Sequence, residues 1–184
     1  MKKEKVKDLM VPLAEYATVS QGATLYDAVM ALEAARGQFT QSPYHHRAML
    51  VLDDQGRVIG KISQLDVLRA LEPRYKFFGE IKDMGRYGLS REFLQSMMKN
   101  YDLWEEPLDQ VCRKGNEILV KDVMYTPLEG EYVDSEASIQ EAIHQIVLGH
   151  HQSLLVTHAG QVAGILRLTD LFHEVSERMK ACKV

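Results

Sequence analysis

Two cysteines, no long apolar run and no basic cluster are the first features of this chain of 184 residues. Cys112 and Cys182 lie far apart and form no CxxC pair, so neither a zinc site nor a redox dithiol is indicated. Two free thiols in a reducing compartment are expected. No apolar stretch approaches the ~20 residues that span a bilayer. The opening MKKEKVKDLM carries charge without an apolar core and does not read as a signal peptide. A soluble, cytoplasmic protein is the expectation. The formal net charge is −4, and without a run of Lys or Arg nucleic acid is not expected as the main partner. A small anionic ligand stays open, because one pocket can be positive on an acidic protein. No metal site is expected. No residues assemble a nucleophile, a base and an orienting group, so the chain is expected not to be an enzyme.

What is present is repetition. VKDLM at 6–10 returns as VKDVM at 120–124, 114 residues on. The same offset carries TLYDAV, from Thr24, onto SIQEAI, from Ser138. HHRAMLV at 45–51 matches HHQSLLV at 150–156, and GRVIGKISQLDVL from Gly56 matches GQVAGILRLTDLF from Gly160. The last offset is 104, so the first copy holds ten extra residues, most of them in or near ARGQFTQSPY at 35–44. Gly, Ser and Pro mark that stretch as an inserted loop.

Each copy reads as strand, helix, strand, strand, helix. Thr24 and Ser138 are candidate N-caps, with Asp27 and Glu141 three residues on, as in a capping box. Leu25, Ala28, Val29 and Leu32 then share one helical face, as do Ile139, Ala142, Ile143 and Ile146. AMLVLD is a short buried strand, DDQG turns it and RVIGKIS returns. A final helix starts near Asp66 in one copy and Asp170 in the other. The residues between the copies, 73–118, match neither. Ser90 caps a helix there whose Phe93, Leu94, Met97 and Met98 share a face, with Tyr101 a turn further, and Pro107 opens another short helix. An apolar face of that size must bury itself on the repeats or on a partner chain.

The repeated turn, GKISQLD at 60–66 and GILRLTD at 164–170, carries chemistry. Unpaired N–H groups at a helix start attract anions, phosphate above all. Ser63 adds a hydroxyl, and Gly60 lets another backbone or a ligand come close. Asp66 repels phosphate but accepts ribose hydroxyls well. Simple helix capping by Ser63 or Asp66 is the plain alternative. His45 and His46 match His150 and His151. Neighbours on a strand point to opposite faces, so these pairs read as strand-entry residues near a cleft rather than metal ligands.

VKDLMVP, TLYDAVMAL and AMLVLDDQGRVIGKISQLDVLRAL together resemble a CBS domain, the module named after cystathionine beta-synthase. VKDVMYTP, SIQEAIHQI and SLLVTHAGQVAGILRLTDLF resemble a second one, and the two cover about three quarters of the chain. The resemblance to such a tandem pair, a Bateman module, implies an α/β (α+β) fold: two repeats packed about a pseudo-two-fold axis, at 1–72 and 119–184, with the helical segment 73–118 between them. It implies two clefts that take AMP, ADP, ATP or S-adenosylmethionine, with no cofactor required. Asp66 and Asp170 would accept ribose, Ser63 and Thr169 would meet phosphate, and the strands around Thr18 and Val19 and around Tyr132 and Val133 would face adenine. The second copy departs from the pattern where Arg167 replaces Ser or Thr. Arg167 either grips phosphate with its planar fork, fills the cleft or pairs with a carboxylate. The function implied is a stand-alone regulatory sensor, commonly a homodimer, acting on an unknown partner. A dimeric scaffold with unoccupied clefts is the alternative.

Overall fold

The computed structural model describes residues 4–38, 45–78, 88–105 and 108–182. In the first repeat the Thr24 hydroxyl accepts the Asp27 N–H at 3.1 Å, and the Asp27 carboxylate accepts the Thr24 N–H at 3.1 Å. That reciprocal pair starts α1, Leu25–Gln38. Ser138 does the same work for α6, Ile139–Gly149, by accepting the Glu141 N–H. Leu25, Ala28 and Leu32 fall on the inner face of α1, and Ile139, Ala142 and Ile146 on that of α6.

Around these helices the two repeats share one plan. In the first, β2 (Thr18–Ser20) runs parallel to β3 (Ala48–Leu52), which pairs antiparallel with β4 (Val58–Ser63). In the second, β5 (Tyr132–Asp134), β6 (Ser153–His158) and β7 (Gln161–Arg167) repeat that pattern. The hairpins feed α2, Gln64–Leu71, and α7, Leu168–Ala181. Both helices begin near the expected Asp, at Gln64 and Leu168. Ser63 and Arg167 are the N-caps, and Asp66 and Asp170 sit in the first turn.

The repeats exchange their openings. β1, Val11–Pro12, belongs to the first copy but pairs with β7 of the second, giving the sheet order β1-β7-β6-β5. The Val6 N–H donates to the Ala137 carbonyl at 3.0 Å; 114 residues on, the Val120 N–H donates to the Ala23 carbonyl at 2.9 Å. Val6 lies in the core of the second repeat and Val120 in that of the first, both fully buried. Val11 opposes Ile165, and Tyr125 exchanges two backbone hydrogen bonds with Lys61. These reciprocal contacts are the pseudo-two-fold axis in atomic terms. The two sheets then meet face to face through Val11, Tyr16, Leu50, Leu155 and Ile165.

Between the repeats, Ser90 caps α3, Arg91–Asn100, by accepting the Phe93 N–H. No residue of α3 is buried, and the shared face of Phe93, Leu94 and Met98 stays exposed. Its return is fastened through Glu72, which accepts the Trp104 N–H at 2.7 Å and pairs with Arg74. α4, Val111–Glu117, and α5, Val120–Val123, lead into the second repeat. Pro107 and most of the inserted loop expected at 35–44 lie outside the described residues. Cys112 and Cys182 are free and exposed. Among the described residues no helix is long and apolar enough to cross a membrane.

Candidate functional site

The two cleft positions expected from the sequence lie where β4 passes into α2 and where β7 passes into α7. In the first, the Ser63 hydroxyl donates to Asp66 Oδ2 at 2.6 Å and accepts the Asp66 N–H at 3.3 Å. Asp66 Oδ2 also accepts the Ser63 N–H at 2.8 Å. The plain capping alternative is therefore realised, but it uses one carboxylate oxygen. Asp66 Oδ1 accepts no hydrogen bond from the described residues. Both side chains are only half-buried. The Gln64 N–H donates to the Arg47 carbonyl at 3.1 Å, so one acceptor oxygen, the Ser63 hydroxyl and the Leu65 N–H are the groups this turn offers a ligand.

The second cleft is built from the same backbone and closed by its side chains. Arg167 Nε donates to Asp170 Oδ2 at 2.6 Å and Arg167 Nη2 to Asp170 Oδ1 at 2.5 Å, so both carboxylate oxygens are taken. Of the three readings of Arg167, the structure shows the pairing with a carboxylate. Arg167 Nη1 lies 3.4 Å from His46 Nδ1. A guanidinium can only donate, so Nδ1 accepts and the neutral ring carries its proton on Nε2. His46 packs edge-on against Tyr16, with ring centroids 4.3 Å apart. Arg167, Asp170, His46 and Tyr16 are all buried. Burial, and then the nearby Arg167 charge, lower the His46 pKa from 6.5 to about 4. Burial also drives the Tyr16 hydroxyl upward.

Folding thus lowers the proton affinity of His46, and the unfolded chain binds more protons between the two values. The His46 contribution is intact above pH 6.5 and is lost as pH falls toward 4. Wild type should lose on the order of 1–2 kcal/mol more than His46→Gln across that window, after discounting for partial solvation. Chemical denaturation of both proteins at pH 7, 5.5 and 4.5 measures the difference; parallel curves would refute it.

The remaining candidates divide by strand alternation. Val19 and Val133 send their side chains into the helix-side cores, so at those two positions only backbone is left to meet a ligand. Tyr132 packs at the sheet–sheet interface, and Thr18 is half-buried on the neighbouring position of β2. Thr169 is half-buried in the first turn of α7, and its side chain makes no hydrogen bond among the described residues. Sequence reasoning missed Tyr16, Lys61 and Glu131. Lys61 Nζ lies 2.5 Å from Glu131 Oε2, and the Tyr125 hydroxyl donates to the same carboxylate. Burial raises the Glu131 pKa, but the hydrogen bonds from Lys61 and Tyr125 outweigh it and hold the group below its usual value. Comparing Tyr16 with Gly130 at the offset of 114 was the signal available for Tyr16. A cavity of about 380 Å³ lies elsewhere, between the end of α2 and α4–α5, lined by Leu71, Pro73, Lys114 and Asp122. It contains none of the candidate residues.

A family profile described as the CBS domain matches residues 6–73 and 120–177. Comparison with curated protein sequences found no match. Among solved structures, a CBS domain-containing protein of unknown function from Bacillus anthracis is 18% identical, with a TM-score of 0.62 and 96% of both chains covered. CBSX2, a CBS-pair protein of Arabidopsis thaliana, solved in complex with AMP, is 19% identical with a TM-score of 0.57 over 96% of this chain and 98% of that one. The CBS domain of a bacterial CNNM/CorC family Mg²⁺ transporter, in complex with ATP, is 13% identical with a TM-score of 0.60, covering 95% and 89%. At these identities the likeness is one of fold.

Proposed function

The chain belongs to the CBS-domain family, and from that premise we propose that it is a regulatory module that binds an adenine nucleotide or another adenosyl ligand between its repeats. The observation that carries this reading is the open carboxylate oxygen of Asp66 beside the Ser63 hydroxyl and the start of α2. The ribose hydroxyls donate to Asp66. Phosphate takes the Ser63 hydroxyl and the Leu65 N–H at the start of α2, and adenine lies along the backbone of β2 near Thr18 and Val19. AMP in CBSX2 and ATP in the transporter domain support the ligand class. Binding exchanges the Ser63–Asp66 hydrogen bond for ligand contacts and biases the position of α2. A ligand shifts such an equilibrium only by its difference in affinity between the two states. Self-association through the helical faces would relay the shift, since Leu65 and Leu68 of α2 and Phe172 and Met179 of α7 are all exposed.

A second reading, a dimeric scaffold whose clefts take no ligand, is favoured by one observation: the Arg167–Asp170 cleft is filled by protein. Thermal unfolding with AMP, ADP, ATP and S-adenosylmethionine decides between them. A ligand at 100 times its dissociation constant adds about 2.7 kcal/mol to stability. The sensor requires such a gain with at least one compound and its loss in Asp66→Ala. Indifference to every compound at millimolar concentration selects the scaffold.

A further inference from the structure

We infer that the chain holds one ligand site, in the Ser63–Asp66 cleft, and that the equivalent cleft of the second repeat is permanently occupied by its own side chains. The inference rests on the ligand-binding reading above and goes beyond it by fixing number and place. The internal repeat serves as its own control, because the same backbone is built twice with different side chains.

Three equivalent positions are built differently, two by residue type and one by the placement of its ring. Ser63 corresponds to Arg167, Gly130 to Tyr16, and His151 to His46. At the first cleft, a Cβ on Gly130 would meet no atom of the described residues within 4 Å. At the second, the equivalent residue is Tyr16, buried and packed edge-on against His46. The His151 ring folds back onto Gly149, where a Cβ would lie 2.0 Å from its Nε2, whereas His46 points to Arg167. The lining between the sheets follows the same division: Val11 and Ile165 are apolar on the Arg167 side, and Tyr125 and Lys61 are polar on the Ser63 side.

The chemistry of the occupied cleft mimics a ligand. A ribose offers a carboxylate two donors. Arg167 already gives Asp170 two, from Nε and Nη2, in the bidentate geometry that a carboxylate binds best. A nucleotide entering there must displace the guanidinium and leave it buried without its partner. That penalty makes binding on the order of 100-fold weaker or worse than at Asp66. It also puts a buried cation, whose position is already fixed by Asp170, where the phosphate-facing Ser63 stands in the first copy. One repeat then responds to ligand while the other holds the sheets in a constant register.

Isothermal titration of the whole chain with AMP, ADP, ATP and S-adenosylmethionine, run beside NMR of ring-labelled histidine, tests this. The expected result is one ligand per chain and a loss of at least 30-fold in affinity in Asp66→Ala. In the double variant Arg167→Met/Asp170→Val, which replaces the pair with apolar volume, affinity at the Asp66 site should stay within threefold. The His46 resonance should hold the neutral Nε2–H form and stay in place at ligand saturation. Two ligands per chain, or full affinity in Asp66→Ala, would overturn the inference. If no compound binds, the ligand-binding reading fails by itself, and the occupied cleft is judged on the ring signal alone. A His46 ring neutral down to pH 5, beside Arg167, Asp170, Tyr16 and His45, supports the closed cluster; titration near pH 6.5 refutes it.

Discussion

Arg167→Ala will destabilise the protein by about 3–5 kcal/mol, because it leaves Asp170 buried without its counter-charge. The pair as a whole is not expected to be a large source of stability. Bringing two charges out of water costs nearly what their attraction returns, even with two short hydrogen bonds. What is costly is breaking it halfway. Urea titration at pH 7 should therefore show Arg167→Ala well below wild type, and the double replacement Arg167→Met/Asp170→Val far closer to it. Such non-additivity is the signature of a coupled pair. A double variant as unstable as Arg167→Ala would mean that the side chains matter for their volume and not for their charges.

Gly164→Ala will cost about 3 kcal/mol, and Gly60→Ala distinctly less. These are the glycines that open the two copies of the repeated turn. The opening strand of the opposite repeat passes over each of them. A Cβ on Gly164 would lie 2.4 Å from the Val11 carbonyl oxygen and 3.2 Å from Pro12 Cα, so two backbones must part. On Gly60 it would first meet the flexible Met124 side chain, at 2.8 Å from Sδ, and then the Tyr125 carbonyl at 3.0 Å. The thioether can turn aside, although the carbonyl still has to give. Thermal unfolding of both variants measures the gap. Equal tolerance at the two positions would contradict the crossover as the reason these residues are glycine.

The glycine therefore recurs for a backbone, not for a ligand. Sequence alone left both options open at Gly60, since either can approach a residue without a Cβ. Local pattern did give the repeat, the capping pairs Thr24–Asp27 and Ser138–Glu141, and the strand-helix-strand-strand-helix order, because each depends on neighbours in the chain. The exchange of Val6 and Val120 between cores was not legible. VKDLM and VKDVM look alike whether they dock on their own repeat or on the other, and nothing within a few residues decides. The helix starts near Asp66 and Asp170 were legible, and so was Ser63 as a cap, whereas Arg167 at the second N-cap was not, because its side chain makes no cap hydrogen bond. The partner of Arg167 was open for a similar reason: a guanidinium serves phosphate and carboxylate equally well until burial removes the choice. The apolar face of α3 was legible as a helix face but not as an exposed one.

A crystal structure of the chain grown with a saturating adenine nucleotide, ADP for example, tests the central claim most directly. The predicted result is one nucleotide between the repeats, its ribose hydroxyls on Asp66, its phosphates at Ser63 and the start of α2, and the Arg167–Asp170 pair unchanged. A nucleotide seated on Asp170, or one bound outside both clefts, would contradict it.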